Sequence, residues 1–85
     1  MIRILDVDDT MDEKVKEFLN KEYDSFEDFV TDIKHTYIIT NVGVTNKDNT
    51  VGWVDLENKL DYTNYAIIWF EDVNIINPRK YQKYL

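Results

Sequence analysis

An α+β domain is the fold class that the sequence predicts: a strand and two short N-terminal amphipathic helices, followed by an antiparallel β-meander or a partial barrel. Three observations lead there. Apolar residues recur at helical spacing between Met11 and Ile33, and from Thr36 the period changes to that of strands. No later segment reads as a crossover helix between parallel strands. The 85 residues form a single domain, 1–85, with an acidic helical part at 1–35 and a β part at 36–85.

Ile2, Ile4 and Leu5 predict a short first strand ending near Asp6. Thr10-Met11-Asp12-Glu13 then fits a capping box, with Thr10 as N-cap and Glu13 reaching back to it. Met11, Val15, Phe18 and Leu19 follow at i, i+4, i+7 and i+8, which predicts a helix over about 11–21. Asp12 with Lys16 and Glu17 with Lys21 are i,i+4 pairs on its polar side. A second helix, about 25–34, starts at Asp24 or Ser25 and carries Phe26, Phe29, Val30 and Ile33 on one stripe. Strands are predicted at 37–40, 42–45 and 51–56, with a polar hairpin loop at 46–50. The segment 65–71 is apolar on both faces, so it is predicted to be central. A short strand at 73–76 precedes Pro78, which ends it.

Three stretches of the second half resemble a known family. They are Val51-Gly52-Trp53-Val54, Tyr65-Ala66-Ile67-Ile68-Trp69-Phe70-Glu71-Asp72 and Ile76-Asn77-Pro78-Arg79-Lys80-Tyr81. Together they look like the closing strands of an SH3-like small barrel, where a Pro-x-x-Tyr turn precedes the end of the domain. The resemblance implies an interaction or structural module. Proline-rich ligand binding is not carried over, because the aromatic cluster for it is not reproduced.

Composition narrows the functions. With no cysteine, neither disulfides nor thiolate metal sites are available, and the core rests on the 44% of residues that are hydrophobic. No signal-like segment opens the chain, and the apolar run 65–70 is too short to cross a bilayer. A soluble cytoplasmic protein is therefore expected. Abundant Ile, Lys, Asn, Asp and Tyr fit AT-rich coding, as in low-GC bacteria and their phages. The charge is one-sided. Residues 1–32 hold eleven acids and four bases, which is the whole net charge of −7, while 33–85 hold six of each.

Asp6-Val7-Asp8-Asp9-Thr10 matches the Asp-x-Asp-x-Thr motif of haloacid-dehalogenase-type phosphatases. In such an enzyme Asp6 is the nucleophile and Asp8 the general acid. That chemistry needs a parallel sheet with a later Ser or Thr, a Lys and an acidic pair, and a β-meander does not provide one. Strand-end acids ahead of a helix start explain the same letters. Asp6, Asp8, Thr10, Asp12 and Glu17 also fall on positions 1, 3, 5, 7 and 12 of a calcium loop, but Met11 stands where that loop needs Gly. His35 is the lone histidine, and Ser25, the lone serine, serves as a cap. No enzyme activity, cofactor or metal is expected. Arg79, Lys80 and Lys83 are too few against a charge of −7 to make direct nucleic-acid binding the expectation.

Two functions remain. The first is a small acidic binding protein, by analogy with phage proteins that inhibit host nucleases or other nucleic-acid-binding proteins by mimicking DNA. Its expected surface is Asp12, Glu13, Glu17, Glu22, Asp24, Glu27, Asp28 and Asp32, and its partner is a protein with a basic, nucleic-acid-binding site. The second is an SH3-like module touching its partner through Trp53, Tyr62 and Tyr81. Neither reading involves a membrane.

Overall fold

Alternation along two neighbouring segments decides the architecture. In 51–58 and again in 65–72 every second residue is buried, so each segment is a strand with one face in a core. The computed structural model describes residues 1–45, 50–61 and 63–72. Their elements are β1 (Ile2–Asp8), a 3₁₀ helix (Glu13–Phe18), β2 (Glu22–Tyr23), α1 (Phe26–Ile33), β3 (Tyr37–Val44), β4 (Val51–Asn58) and β5 (Tyr65–Asp72). The five strands form one antiparallel sheet in the order β2-β1-β5-β4-β3. β5 is the middle strand, as its two apolar faces predict.

The inner face holds the core. Ile2, Ile4, Tyr37, Ile39, Val54, Leu56, Ala66, Ile68 and Phe70 of the sheet meet Val15 and Phe18 of the 3₁₀ helix and Phe26, Phe29, Val30 and Ile33 of α1. Ser25 caps α1, its Oγ accepting from the Asp28 amide at 3.1 Å. Phe26 and Phe29 reach Phe70 with ring centroids 5.5 Å away in both cases, which anchors the helix across the middle strand.

The α+β expectation is corrected: the described residues are 49% strand and 21% helical, a mostly antiparallel β architecture without two N-terminal amphipathic α-helices. The segment 11–21 is where the reading failed. Only Val15 and Phe18 of its stripe are buried, three residues apart, and that spacing fits the three-residue turn of a 3₁₀ helix. Met11 and Leu19 stay 47% and 37% exposed, so the i+4 partners that would reward an α-helix have nothing to bury against. Asp12, not Thr10, is the N-cap, accepting from the Lys14 amide at 2.9 Å. Asn20 then takes a positive φ of 65°, which Asn tolerates, and turns the chain into β2. The acidic N-terminal third is thus not a helical part: β1 pairs with β5 and carries β2 on its other side.

Among the described residues the strands form an open sheet, and the segment expected to close a partial barrel lies outside them. β2 and β3 are the two edges of an open sheet and do not pair with each other among the described residues. α1 lies against both edge strands. The segments predicted at 46–49 and 73–85, including the Pro78 turn, lie outside the described residues.

Candidate functional site

With both helices on the inner face, the outer face of the sheet has no helix over it among the described residues. Register places its side chains in rows. Gly43, Trp53, Trp69 and Asp6 form one row across β3, β4, β5 and β1. Asn41, Asp55, Ile67 and Asp8 form the next, followed by Ile38, Glu57 and Tyr65. On the other side of the tryptophans lie Val51, Glu71 and Arg3, the last two joined as an ion pair. Bulges at Leu5 and Thr40 each absorb one residue, and these shifts bring Asp6, Asp8 and Asn41 onto the outer face.

This face combines carboxylates with aromatic surface. Asp6, Asp8, Asp55 and Glu57 take part in no ion pair among the described residues, and Arg3 is the face's one base. Hydrogen bonds from Thr10, whose amide donates to Asp8 Oδ1 at 3.0 Å, hold the Asp8 carboxyl below its ordinary pKa and keep it ionised. Tyr65 is 56% exposed and Ile38 40%, while Trp53, Ile67 and Trp69 are partly exposed. Depressions of about 210 and 270 Å³ flank Tyr65 and Ile67, the first edged by Asp55 and Glu57 and the second by Asp8 and Met11.

The acidic surface read from the sequence is divided by the fold. Asp12 is 5% exposed and turned inward, its Oδ2 accepting from Asn58 Nδ2 at 2.9 Å, so it adds nothing to a docking surface. Asp32 is held by Tyr23 Oη at 2.5 Å and Lys21 Nζ at 3.3 Å. Glu13, Glu17, Glu22, Asp24, Glu27 and Asp28 are exposed. Glu13 and Glu17, however, share residues 13–21 with Lys14, Lys16 and Lys21, so two acids face three bases there. Glu27 and Asp28 occupy the first turn of α1, where the helix dipole favours them whatever else they do. Of the aromatic candidates, Trp53 lies on the outer face, while Tyr62 and Tyr81 are outside the described residues.

On the opposite side, Asp12, Lys14, His35, Asn58 and Lys59 line a cleft of about 410 Å³ with mixed charge. The nearby Tyr37 hydroxyl is buried and has no hydrogen-bond partner among the described residues, and burial, then the Asp12 charge, raise its pKa and keep it protonated. Among the described residues, no group of three or more His, Asp or Glu side chains is placed to hold a metal ion. Asp6 and Asp8 face outward and Asp12 inward, so the calcium pattern is split between two faces of the sheet. No described helix is long and apolar enough to cross a membrane. The chain matches no protein-family model, no curated protein and no solved structure in comparisons with each.

The Tyr23–Asp32–Lys21 cluster ties β2 to α1 and gives the fold a pH dependence. Partial burial pushes the Asp32 carboxyl up, but the hydrogen bonds from Tyr23 and Lys21 outweigh it and hold the pKa below its ordinary value. Stability from this group is therefore full above the unfolded pKa of about 4 and is lost as pH falls through the folded value. Tyr23 runs the other way. Burial, then the Asp32 hydrogen bond, raises its pKa, so its contribution is full below about pH 10 and is lost in stronger alkali. Tyr23→Phe should cost about 1 kcal/mol at neutral pH, a loss that shrinks once Asp32 is protonated in acid. Urea midpoints of both proteins at neutral and acid pH check this, and an equal gap at both would contradict it.

Proposed function

We propose that this chain is a small acidic binding protein that occupies a basic site, of the kind that binds nucleic acid, on another protein. One observation carries the reading: Asp6, Asp8, Asp55 and Glu57 stand among Trp53, Tyr65, Ile67 and Trp69 on a sheet face where Arg3 is the one base among the described residues. Carboxylates in fixed rows give a negative field that steers a basic partner, and the aromatic side chains between them supply contact area once it arrives. A hydrogen-bonded sheet holds both sets in place without the ordering cost of a loop. The working surface is thus the sheet rather than the helical acids: among the described residues its ratio of acids to bases is higher, and aromatic anchors are present.

The test uses a partner recovered with the tagged full chain, the recovery serving only to supply it. Association should slow steeply as salt is raised from low to several times physiological strength, because the Debye length shrinks to about 3 Å near 1 M. Duplex or single-stranded nucleic acid should compete for the same partner. A second reading, contact dominated by apolar surface, draws on Tyr65 and Ile38, which stay 56% and 40% exposed. That reading wins if association is indifferent to salt and nucleic acid does not compete.

A further inference from the structure

Trp53 lies flat on the sheet, and Gly43 is the reason. The two residues are register partners on β4 and β3. A Cβ built on Gly43 would be equally close to Cζ2 and Cη2 of the Trp53 indole and only 2.7 Å from Cε2. For a point equidistant from two bonded ring atoms, so short a distance to the next atom requires a position above the ring plane. At the ring edge, Cε2 would be much farther away. One face of the indole therefore rests on the Gly43 backbone, where any other residue would put a side chain, and the opposite face is directed away from the sheet. Gly43 is accordingly covered while Trp53 stays partly exposed.

A carboxylate stands beside this platform. Asp55 follows Trp53 two residues along β4, about 7 Å away on the same face. Asp6 lies in the same row on the opposite side from Gly43, beyond Trp69, and adds to the negative field of the face rather than to contact with the ring. Among the described residues no base of the chain takes the outward face of the ring. Lys21 is the cation placed over an aromatic ring, and that ring is Phe18 on the other side of the sheet.

We propose that the Trp53 platform and the neighbouring Asp55 carboxylate recognise an arginine of a basic protein segment. The inference rests on the binding function proposed above and names the chemistry that surface reads. A guanidinium is planar, stacks on an indole face and still directs N–H groups outward in its own plane, toward Asp55. An ammonium is a compact, strongly hydrated charge that gains less from a flat ring. Charge complementarity selects a cationic occupant, and the flat ring beside Asp55 selects arginine over lysine.

The test titrates the isotope-labelled full chain with two acetylated octapeptides, one alternating glycine with arginine and one alternating glycine with lysine, at low salt. The signals of the Trp53 indole N–H and of the Gly43 and Asp55 amides should move most, with the arginine peptide binding about five-fold more tightly or better. Asp55→Asn should weaken both peptides. Gly43→Ala should displace the ring and remove the arginine preference, and Trp53→Leu, checked for an intact fold by its spectrum, should do the same. Equal binding of the two peptides at the outer face overturns the arginine inference and leaves the acidic docking face standing. Peptide shifts confined to Glu22–Asp28, or none at all on the outer face, overturn both.

Discussion

Phe70→Ala is expected to destabilise the protein by about 3–5 kcal/mol, enough to leave much of the population unfolded near physiological temperature. Phe70 is fully buried at the middle of the sheet, on β5 between β1 and β4. Its ring is the one against which Phe26 and Phe29 of α1 both pack, at 5.5 Å, and Phe29 carries Tyr23 of β2 at 5.1 Å. Truncation therefore opens a cavity where the helix, the central strand and one edge strand meet, and rigid neighbours on the sheet side limit how far it can collapse. Phe70→Leu keeps most of the volume and should cost much less. Trp69, the next residue, points to the outer face and is only partly covered, so Trp69→Ala should be the milder lesion although it removes more atoms. Urea denaturation of the three variants gives the ranking. A Trp69 variant weaker than the Phe70 variant would reverse the assignment of the two faces of β5.

Local features were legible where one interaction dominates. Ser25, followed by Phe26, Phe29, Val30 and Ile33, announced α1 because the cap and the apolar stripe agree. The segment 65–71 announced the central strand, because an apolar run on both faces fits a strand with neighbours on both sides, although its outer residues Tyr65, Ile67 and Trp69 stay partly exposed. The 3₁₀ helix was not legible, since Met11, Val15, Phe18 and Leu19 satisfy an α pattern of which tertiary packing uses one pair. β2 was hidden for a related reason. Two residues carry no period, and the positive φ of Asn20 that delivers them to the sheet edge is visible only in three dimensions.

The outer face was missed because its parts are far apart in sequence. Asp6 and Asp8 attracted attention as a motif, and Asp55 and Glu57 looked like the ordinary polar alternation of a strand. Pairing of β1 with β5, and of β5 with β4, is what assembles them. A charge count along the chain puts the excess in residues 1–32, but it does not show that Asp12 turns inward or that Lys14 and Lys16 share the 3₁₀ helix with Glu13 and Glu17. One signal was available. Gly43 in a strand, eight residues of chain before Val51 and opposite a tryptophan, marks a close approach, and the ring of Trp53 is what approaches.

The central claim, that the sheet face rather than the helical acids does the binding, is tested most directly by two variants of equal charge. One carries Asp6→Asn, Asp8→Asn, Asp55→Asn and Glu57→Gln, and the other Glu13→Gln, Glu17→Gln, Glu27→Gln and Asp28→Asn. Each removes four negative charges from the same net −7, so steering by overall charge falls equally in both. Any difference between them reports which surface the partner meets. Association rates with the recovered partner at low salt should fall about ten-fold or more for the sheet variant, within the range that local electrostatic steering spans, and only a few-fold for the helical variant. Equal rates for the two, or a greater loss in the helical variant, would contradict the assignment of the binding surface to the outer face of the sheet.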